Sequence, residues 1–447
     1  MEIKDIFKSA NKIHIIGIGG VSMSAIAKFI LNKGIVVSGS DINKSGYTQD
    51  LKNAGAKVYF SHNKNHLKNV DLVIYSLSIK DDNPELVYAK QKGIPCIKRG
   101  EALKLIASEY DNIIAVAGMH GKTTTTALIY QIFTTCGYNP TLHIGAEVDE
   151  KIKNIVIGDK DFFITEACEY GDSFLSLYPD VSVITNVEKE HLDYFKNLKN
   201  IYTSFNRFML QSKKCFINEK LKQRLITTNN SYFGQNSGAR AVNIKKKEKG
   251  YTFEVFVEDK FYGKISLGLE CKHNINNCLA AICVANYYSL DKEKVIKAIG
   301  TFKGVKMRFE DVGFYDGHRV IFDYAHHPTE IKNSILAAQK LAKNCVYVYF
   351  QPHTYSRTKL LKSQFKKCFK GAESVFVCNT YKAREKYDFD GDEKALAALI
   401  SDNVPCVKYG KVEDILLDIK SKTQKGILLF MGAGDMQKNI KALLKGF

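Results

Sequence analysis

Residues 112–126 read NIIAVAGMHGKTTTT. A run of mostly apolar residues is followed by a glycine loop, a lysine and four threonines, which predicts a buried strand, a tight turn and the start of a helix. Backbone N–H groups of residues 118–121 can surround phosphate oxygens, Lys122 can reach the β- and γ-phosphates, and Thr123 can hold Mg²⁺. The first glycine of a standard Walker loop would fall at Val116, so the loop is a shortened variant, G-x-x-G-K-T. The stretch therefore predicts ATP binding.

Outward from this loop, strand-like apolar runs alternate with helical periods in both directions along the chain. Before the loop, the predicted elements are strands at residues 13–16, 35–39, 57–60, 71–75 and 94–98 and a connecting helix at 101–108. After it, they are strands at 162–165 and 181–185, a hairpin within 251–269, a helix at 276–287 and strands at 320–323, 345–350, 374–378 and 427–431. This alternation is typical of α/β layers around parallel sheets. We predict three α/β domains, at residues 1–108, 109–302 and 303–447.

The composition excludes several classes of protein. With 447 residues, 45% of them hydrophobic and 25% charged, the chain can form several globular cores. No run approaches the roughly 18 uninterrupted apolar residues of a membrane helix, and the N-terminal residues include Glu2 and Asp5 without the apolar stretch of a signal peptide. The eleven cysteines form no C-x-x-C pair, as expected of thiols in a reducing compartment. We expect a cytoplasmic protein without membrane insertion.

The formal net charge of +18 is a property of the whole chain. Lysine dominates it, and the lysines are dispersed, whereas nucleic-acid readers favour arginine and clustered basic patches. Dispersed lysine is typical of a solvated surface, and its field also attracts small polyanions such as nucleotides. Charge alone leaves a nucleic-acid-stimulated ATPase open as an alternative.

A second glycine cluster, GIGGVSMS at residues 17–24, follows the first predicted strand and opens a helix. Its backbone N–H groups can receive a diphosphate, and Asp41 lies where a dinucleotide-binding fold places a ribose-binding acid. Ser22 replaces the third glycine of the G-x-G-x-x-G pattern. The cluster therefore leaves three alternatives open: a nicotinamide cofactor, a different diphosphate ligand, or a turn without a ligand.

Acidic residues follow the next two strands of the predicted central domain. Glu166 ends the strand at 162–165, and TNVEKEHLD at 185–193 follows the strand at 181–185. Strand ends in a P-loop fold converge on the phosphates, so a carboxylate there is a natural Mg²⁺ ligand. His191 is a less usual ligand for this hard cation, and the charges at 188–190 are also typical of a solvated loop.

Further polar motifs follow predicted strands or begin a helix. They are HNINN at 273–277, GVKMRFE at 304–310, DYAHHPTE at 323–330, FQPHTYSRTK at 350–359 and MGAGDM at 431–436. Ligands of open α/β sheets bind at the carboxyl ends of the strands. Each motif taken singly is compatible with either a binding site or ordinary loop structure.

In this order, the motifs from residue 13 to residue 435 resemble those of the Mur ligase family, ATP-dependent amide-forming enzymes of peptidoglycan synthesis. The resemblance implies an N-terminal Rossmann-like UDP-sugar-binding domain, a central P-loop ATPase-like domain and a C-terminal Rossmann-like ligase domain. It is greatest to the alanine-adding members, and it implies ligation of L-alanine to the muramyl carboxylate of UDP-N-acetylmuramate through an acyl phosphate, with release of ADP and phosphate. Asn206 stands where later-acting members have a lysine that becomes carbamylated, which favours the same branch.

The resemblance also implies a role for individual residues. Those expected in catalysis are Lys122, Glu166, His191, Arg308 and Asp323. Those expected to bind ATP are Gly118, Met119, His120, Gly121, Lys122, Thr123, Thr124, Asn274, Asn277, Arg308 and Asp323. Mg²⁺, or Mn²⁺ in its place, is expected at Thr123, Glu166 and His191. The UDP-sugar is expected at Gly17, Gly19, Gly20, Asp41, Ser76 and Asn83, and L-alanine at Tyr324, His326 and Arg357.

Two positions depart from the family pattern. Met119 stands where the phosphate loop usually has threonine, and because that loop binds through backbone N–H groups, we expect ATP binding to be retained. Thr354 stands where some relatives have arginine, so recognition of the amino-acid carboxylate depends more on Arg357.

Two other functions remain as alternatives to alanine ligation. The first is a recycling ligase that attaches a whole tripeptide to the same sugar nucleotide, although the GGVSMS form of the first loop favours the alanine-adding enzymes. The second is the nucleic-acid-stimulated ATPase, whereas a nicotinamide-dependent dehydrogenase would leave the P-loop unexplained. We expect no nucleic-acid partner, and a monomer or weak homodimer.

Overall fold

A computed structural model of the chain describes residues 3–150, 152–225, 229–342, 345–383, 385–436, 438 and 440. Glu2 and the predicted outer domain limits, residues 1 and 447, lie outside these ranges. The chain divides into two compact units. The first unit comprises Met1–Lys245, Thr252–Leu267 and Ile275–Phe302, and the second comprises Lys246–Tyr251, Gly268–Asn274 and Lys303–Phe447. The domain boundaries near residues 108 and 302 stay a prediction.

The N-terminal part of the first unit is built around a five-stranded sheet. Its strands are β1 (Lys12–Ile16), β2 (Val36–Ser40), β3 (Lys57–Tyr59), β4 (Leu72–Tyr75) and β5 (Cys96–Lys98). Its helices are α1 (Ile3–Ser9), α2 (Val21–Asn32), α3 (Gly46–Asn53), α4 (Pro84–Gln91) and α5 (Arg99–Ala107). The spatial order is β3-β2-β1-β4-β5, and every pair is parallel. The strands predicted here are confirmed with small differences at their ends.

A ten-stranded sheet follows in the chain. Its strands are β6 (Asn112–Ala117), β7 (Pro140–His143), β8 (Ile155–Val156), β9 (Asp159–Glu166), β10 (Val181–Ile184), β11 (Lys214–Asn218), β12 (Asn230–Gly234), β13 (Ala239–Lys246), β14 (Tyr251–Val257) and β15 (Lys260–Leu267). Its helices are α6 (Lys122–Thr135), α7 (Leu192–Phe195), α8 (Leu198–Leu210), α9 (Asn274–Tyr287) and α10 (Lys292–Thr301). The spatial order is β15-β14-β13-β12-β11-β10-β6-β9-β7-β8.

The order of this sheet places the phosphate loop between two other strand ends. β6 lies between β9 and β10, and both pairs are parallel. The loop after β6 therefore has on either side the ends of β9, at Glu166, and of β10, at Ile184. This is the strand edge at which open α/β sheets bind ligands.

The second unit contains a six-stranded sheet. Its strands are β16 (Glu310–Tyr315), β17 (His318–Asp323), β18 (Cys345–Phe350), β19 (Ser374–Cys378), β20 (Cys406–Gly410) and β21 (Gly426–Met431). Its helices are α11 (Pro328–Leu341), α12 (Tyr355–Leu360), α13 (Lys362–Cys368), α14 (Glu393–Ile400) and α15 (Ile415–Lys420). The order is β16-β17-β21-β18-β19-β20, with only the edge pair β16–β17 antiparallel among the described pairs. The helix predicted after residues 431–436 extends onto positions outside the described ranges.

Short 3-10 helices connect several of these elements. They are Lys64–Leu67, Tyr170–Ser176, Glu219–Leu221, Phe389–Gly391, Ser401–Asn403 and Val412–Asp414. Within the described ranges, none of the helices is both long enough and apolar enough to cross a membrane.

Burial on both faces explains why the sheet strands are continuous apolar runs. In β18, Val346 and Val348 belong to one buried cluster, whereas Tyr347 and Tyr349 belong to a second cluster on the opposite face. Side chains alternate along a strand, so a strand covered on both faces needs apolar residues at every position. Such strands fix the positions of the loops that follow them.

Candidate active site

The phosphate loop depends on glycine at two positions. Gly118 has a φ of 133°, and a Cβ there would lie 2.1 Å from Thr185 Oγ1. Gly121 has a φ of 81° and precedes α6, and a Cβ there would lie 2.7 Å from Asn277 Oδ1. Since positive φ and contact at these distances both exclude a side chain, only glycine allows this backbone path.

Residues from the loop after β10 hold the phosphate loop in shape. The Thr185 hydroxyl donates to the carbonyl oxygen of His120 at 2.7 Å. Asn186 Oδ1 accepts from the backbone N–H of His120 at 2.9 Å, and Asn186 Nδ2 donates to the His120 carbonyl at 2.8 Å. The threonine and asparagine of TNVEKEHLD therefore position the loop, a role that the sequence analysis did not assign. Their place directly after a strand next to β6 was the available signal.

Lys122 is half-buried at the start of α6, where it pairs with the buried Glu169. Its Nζ lies 3.0 and 3.1 Å from the two carboxylate oxygens of Glu169 and also donates to the Gly118 carbonyl oxygen. Burial disfavours both charges, but their mutual attraction raises the pKa of Lys122 and lowers the pKa of Glu169. The pair is therefore fully ionised beside the phosphate loop.

Glu169 is a site residue that sequence analysis missed. It lies three residues after Glu166 in the EACEYGD motif and is only 2% exposed. Its Oε1 is 3.5 Å from His191 Nε2, so one carboxylate connects the phosphate-loop lysine with the predicted metal-site histidine. Glu166 instead accepts from the Gly145 N–H at 2.9 Å. Two glutamates so close in sequence could not be told apart without the fold.

Two of the three predicted metal-site residues, Thr123 and Glu166, carry the oxygen donors that suit a hard cation. Thr123 is the second residue of α6 and is 5% exposed, Glu166 ends β9, and His191 lies in the loop before α7 with a φ of 53°. The Thr123 hydroxyl and the carboxylates of Glu166 and Glu169 are oxygen donors of the kind that Mg²⁺ prefers. The Glu169 carboxylate is the group that the structure places next to His191.

The remaining predicted ATP residues lie in or near the loop. Met119 is 7% exposed, packs into the apolar core and donates its N–H to the Asn186 carbonyl at 3.4 Å. Asn277 lies against Gly121, as the Cβ contact shows, while Asn274 begins α9. Thr124 is buried in the first turn of α6. Asn277 therefore lies beside the phosphate loop itself.

The N-terminal glycine turn brings four of the predicted UDP-sugar residues together. Asp41 Oδ2 accepts the Gly19 N–H at 2.9 Å. A Cβ on Gly17, whose φ is 82°, would lie 3.3 Å from Ser76 Cβ. Asn83 caps α4 through its side-chain oxygen. Asp41 therefore supports the turn, in addition to any contact with a ligand.

Ser22 and Gly20 complete this turn. Gly20 is the N-cap residue of α2. Ser22 stands at the position of the third glycine of the dinucleotide-binding pattern. Its hydroxyl lies 2.9 Å from His143 Nε2. Burial, followed by the nearby Arg99, lowers the pKa of His143 to about 3, so this histidine is neutral. Ser22 thus has a contact in the first unit that a glycine could not make.

Asp323 ends β17 in the second unit and is 8% exposed. Its Oδ2 accepts from the Ser334 hydroxyl and its Oδ1 from the Ala325 N–H at 3.3 Å. Burial raises the pKa of Asp323 to about 6, and the hydrogen bond from Ser334 and the attraction of Arg308 only partly oppose it. A raised pKa at a strand end is typical of a functional carboxylate.

The predicted amino-acid residues cluster with Arg308 in the same unit. The Arg308 guanidinium lies 4.7 Å from the centre of the Tyr324 ring. The ring of Tyr324 lies 5.5 Å from that of His326, which is 5.7 Å from that of His353. Arg357 Nη1 lies 2.9 Å from His353 Nδ1 and donates to the His353 carbonyl oxygen at 2.8 Å. His353, which the sequence analysis did not select, therefore orients Arg357.

Comparison with known families covers nearly the whole chain. Residues 12–111 match the Mur ligase family catalytic domain, residues 116–285 match the Mur ligase middle domain, and residues 307–434 match the Mur ligase glutamate ligase domain. These matches occur in the order that the motifs predicted.

Individual relatives support the same assignment. The chain is 41% identical over 441 residues to a UDP-N-acetylmuramate–L-alanine ligase of Clostridium acetobutylicum, with 96% of each chain covered. It is 40% identical to the enzyme of that name from Caldanaerobacter subterraneus, with 95% of each covered. The crystal structure of a UDP-N-acetylmuramate–alanine ligase from Thermotoga maritima is similar with a TM-score of 0.83 and 26% identity, over 97% of this chain and 98% of that one. From its glycine loops to its three matched domains, this chain belongs to the Mur ligase family.

Proposed function

We propose that the protein is an ATP-dependent ligase that joins L-alanine to the muramyl carboxylate of UDP-N-acetylmuramate in peptidoglycan synthesis. The observation that carries this proposal is the phosphate loop whose Lys122 is paired with Glu169 beside His191. That site lies in a chain 41% identical, over 96% of its length, to a ligase named for this reaction. The products are UDP-N-acetylmuramoyl-L-alanine, ADP and phosphate.

The proposed chemistry follows from the poor reactivity of a carboxylate. An oxygen of the muramyl carboxylate attacks the γ-phosphorus of ATP, the bond to ADP breaks, and an acyl phosphate forms. The neutral amine of L-alanine then attacks the acyl carbon through a tetrahedral intermediate. Phosphate leaves, the amide forms, and the amine loses its proton. Exclusion of water prevents hydrolysis of the acyl phosphate.

The residues of the first unit act on the phosphates. Lys122 contacts the γ-phosphate when ATP replaces Glu169 as its partner, and the N–H groups of residues 118–121 surround phosphate oxygens. Thr123, Glu166 and His191 would hold Mg²⁺, and the bound ion would neutralise phosphate charge. Gly17, Gly19, Gly20, Asp41, Ser76 and Asn83 bind the UDP-sugar.

The residues of the second unit act on ATP and on the amino acid. Arg308, Asp323 and Asn274 contact ATP, together with Asn277 of the first unit. Arg357 pairs with the carboxylate of L-alanine, because its guanidinium offers parallel donors that match a carboxylate. Tyr324 and His326 form the rest of the alanine site.

Phosphate release tests the proposal. ATP and Mg²⁺ are supplied first, then UDP-N-acetylmuramate, then L-alanine, and release is expected only when both acceptors are present. Parallel reactions with the tripeptide L-alanyl-γ-D-glutamyl-diaminopimelate and with DNA or RNA cover the alternative functions. Release with the tripeptide but not with L-alanine would identify a recycling ligase instead. Nucleic-acid-dependent release that ignores the UDP-sugar would overturn the ligase function.

A pair of lysine variants tests the phosphate loop. Lys122→Ala is expected to abolish turnover while leaving the Kd for UDP-N-acetylmuramate within a few-fold. The matched control is Lys213→Ala, because Lys213 is a surface lysine of the same unit that pairs with Asp180. Near-native turnover by Lys122→Ala would show that the ATP site was wrongly assigned.

A further inference from the structure

Glu85 is a buried carboxylate for which the ligase chemistry gives no role. It lies in the first turn of α4 and is 0% exposed. α4 follows β4, and the five-stranded parallel sheet carries its proposed UDP-sugar residues in the loops after its strands. A buried charge is costly unless donors surround it, so its neighbours reveal what it holds.

Donors from the end of β2 and from the segment after β3 converge on the Glu85 carboxylate. The Ser40 hydroxyl donates to Oε2, and His62 Nδ1 lies 3.0 Å from the same oxygen and 3.0 Å from Ser40 Oγ. His66 Nδ1 lies 2.8 Å from Oε1, and the Asn63 N–H donates to Oε1 at 3.3 Å. The carboxylate therefore connects the end of β2 and the loop after β3 with the start of α4.

The charge state of this cluster follows from its neighbours. His14 of β1 is also fully buried, with Nε2 3.5 Å from Glu85 Oε1 and Nδ1 2.9 Å from Ser38 Oγ. Burial lowers the pKa of His14, so its ring is neutral. Burial also acts to raise the pKa of Glu85, but the contact with His14, followed by the hydrogen bonds from Ser40 and His62, outweighs it and holds the pKa at about 2. The carboxylate is an anion at neutral pH.

Ser40 transmits this anchorage to the glycine turn. While its hydroxyl donates to Glu85, its carbonyl oxygen accepts the Gly17 N–H at 2.8 Å. The next residue, Asp41, accepts the Gly19 N–H at 2.9 Å. The end of β2 thus holds the glycine turn through hydrogen bonds, and Glu85 in turn holds the end of β2.

Glu85 also anchors the residues that precede it. Its own N–H donates to Asn83 Oδ1 at 3.0 Å, and the Leu86 N–H donates to the same oxygen at 3.2 Å. The proposed UDP-sugar residue Asn83 therefore caps the start of α4, and the second residue of that helix, Glu85, is held in place by its own carboxylate. The two halves of the proposed sugar-nucleotide site share one anchor.

We propose that Glu85 is a positioning residue for sugar-nucleotide binding: through Ser40 and through α4 it holds the glycine turn and Asn83 in their binding geometry. This inference rests on the proposed function of the N-terminal sheet. A preorganised site binds more tightly because the cost of ordering it is not incurred on binding.

The experiment compares Glu85→Gln with the unchanged protein. Its amide keeps the shape of the side chain but adds donors that face the donors of the cluster. The free energy of one hydrogen bond to a charged group corresponds to a loss of about tenfold in affinity. We expect the KM for UDP-N-acetylmuramate, and its Kd by titration calorimetry, to rise about tenfold or more. The KM values for ATP and L-alanine and the kcat at saturation should change less than about threefold, a split that general loss of folded protein would not produce.

Glu219→Gln is the matched control. The Glu219 carboxylate also holds a loop of the first unit, through the N–H groups of Gln235 and Asn236, and it is not among the proposed site residues. The KM values of the Glu219→Gln variant for all three substrates should stay unchanged. An unchanged KM and Kd for UDP-N-acetylmuramate in folded Glu85→Gln would overturn the proposal. A parallel loss for all three substrates would overturn it as well, because the role would then be structural only.

Ser40→Ala keeps the proposal testable if Glu85→Gln fails to fold. It removes the hydroxyl and leaves the backbone carbonyl that holds Gly17, so a rise in the Kd of UDP-N-acetylmuramate is expected, and an unchanged Kd would count against the proposal. If both single variants fold, the variant that combines Ser40→Ala with Glu85→Gln should bind UDP-N-acetylmuramate no more weakly than the weaker-binding single variant. If the unchanged protein binds no UDP-N-acetylmuramate, the proposed function fails. If it binds and the variants bind equally well, only the role of Glu85 fails.

Discussion

Glu85 in the first unit and Asp323 in the second unit are both buried carboxylates near the ends of parallel strands, yet their pKa values are shifted in opposite directions. Contacts with His14, Ser40 and His62 hold the pKa of Glu85 at about 2 although burial opposes them. Burial raises the pKa of Asp323 to about 6 although Ser334 and Arg308 oppose it. The same chemical group is thus stabilised as an anion in one place and destabilised as an anion in the other.

This difference separates two uses of a buried acid. A carboxylate surrounded by donors connects loops and keeps its charge through any physiological pH, so its contribution is to structure. A buried carboxylate whose anion is disfavoured destabilises the folded protein. Such a residue is typical of a site that is retained for chemistry. We therefore expect variants of the two residues to differ in both stability and pH dependence.

Glu85→Ala should have the largest effect on stability. It leaves the buried Ser40 hydroxyl and the donors of His62 and His66 without their acceptor, and breaking such a cluster costs about 3–5 kcal/mol. Since the chain contains no tryptophan, hydrogen–deuterium exchange of the β1 and β2 peptides is the suitable measurement. Asp323→Ala, followed in peptides of β17, should be less destabilising at pH 8. Equal destabilisation by the two variants would contradict the comparison.

Glu85→Gln should show an acid-dependent difference in stability from the unchanged protein. The folded pKa of about 2 lies below the ordinary value of 4.5, so the stabilisation by ionised Glu85 is present above pH 4.5 and is lost as the pH falls towards 2. The whole shift corresponds to about 3 kcal/mol. Urea unfolding monitored by exchange at pH 7, 4.5 and 3 should show the two proteins converging. A constant gap would mean that the charge of Glu85 contributes nothing.

Asp323→Asn should show the opposite dependence. The folded pKa of about 6 lies above the ordinary value of 3.8. The contribution of Asp323 to the stability of the unchanged protein is therefore fully present below pH 3.8 and is lost as the pH rises through 6. An amide cannot ionise, so the variant should become relatively more stable by up to about 3 kcal/mol above pH 6. Turnover should fall about 10²-fold, because a charge proposed to act on ATP is removed. Retained turnover would show that Asp323 is not part of the site.

Ser334→Ala should have the smallest effect. The Ser334 hydroxyl donates to Asp323 Oδ2 and lowers the pKa of that carboxyl. Its loss should raise the pKa further and move the acidic limb of the kcat/KM profile to higher pH, by about one unit or less. The pH profile between 5 and 8 is the measurement, and Ser421→Ala, whose hydroxyl bonds only locally to the Asp418 carbonyl, is the control. A shift to lower pH would contradict the assignment.

Local patterns allowed most of the second unit's strands and the phosphate loop to be predicted. β18 and β19 coincide with the predicted strands because runs of residues buried on both faces are apolar throughout. β7, by contrast, was missed. Its four residues are all buried, but they include Pro140, Thr141 and His143. Burial there comes from neighbouring strands, so no local pattern marks it.

The sites show the same division. Glycine loops could be placed because the requirement for positive φ is local, at Gly118 and Gly121. Glu169 was overlooked in favour of Glu166 because Glu166 ends β9 and Glu169 lies only three residues later, and only the fold shows which one contacts Lys122 and His191. His353 was likewise overlooked, because its contact with Arg357 depends on side-chain direction at the start of α12.

The sequence by itself determined the α/β class, the order of the motifs and the family, because strand periodicity, glycine turns and motif spacing are properties of short stretches of chain. Only the tertiary structure decided the states of the buried acids. Glu85 follows an Asn-Pro helix start, and nothing in that stretch shows that Ser40 and His62 will surround it. A carboxylate's pKa depends on which dipoles and charges lie within a few ångströms, and in a parallel sheet those come from segments distant in the chain.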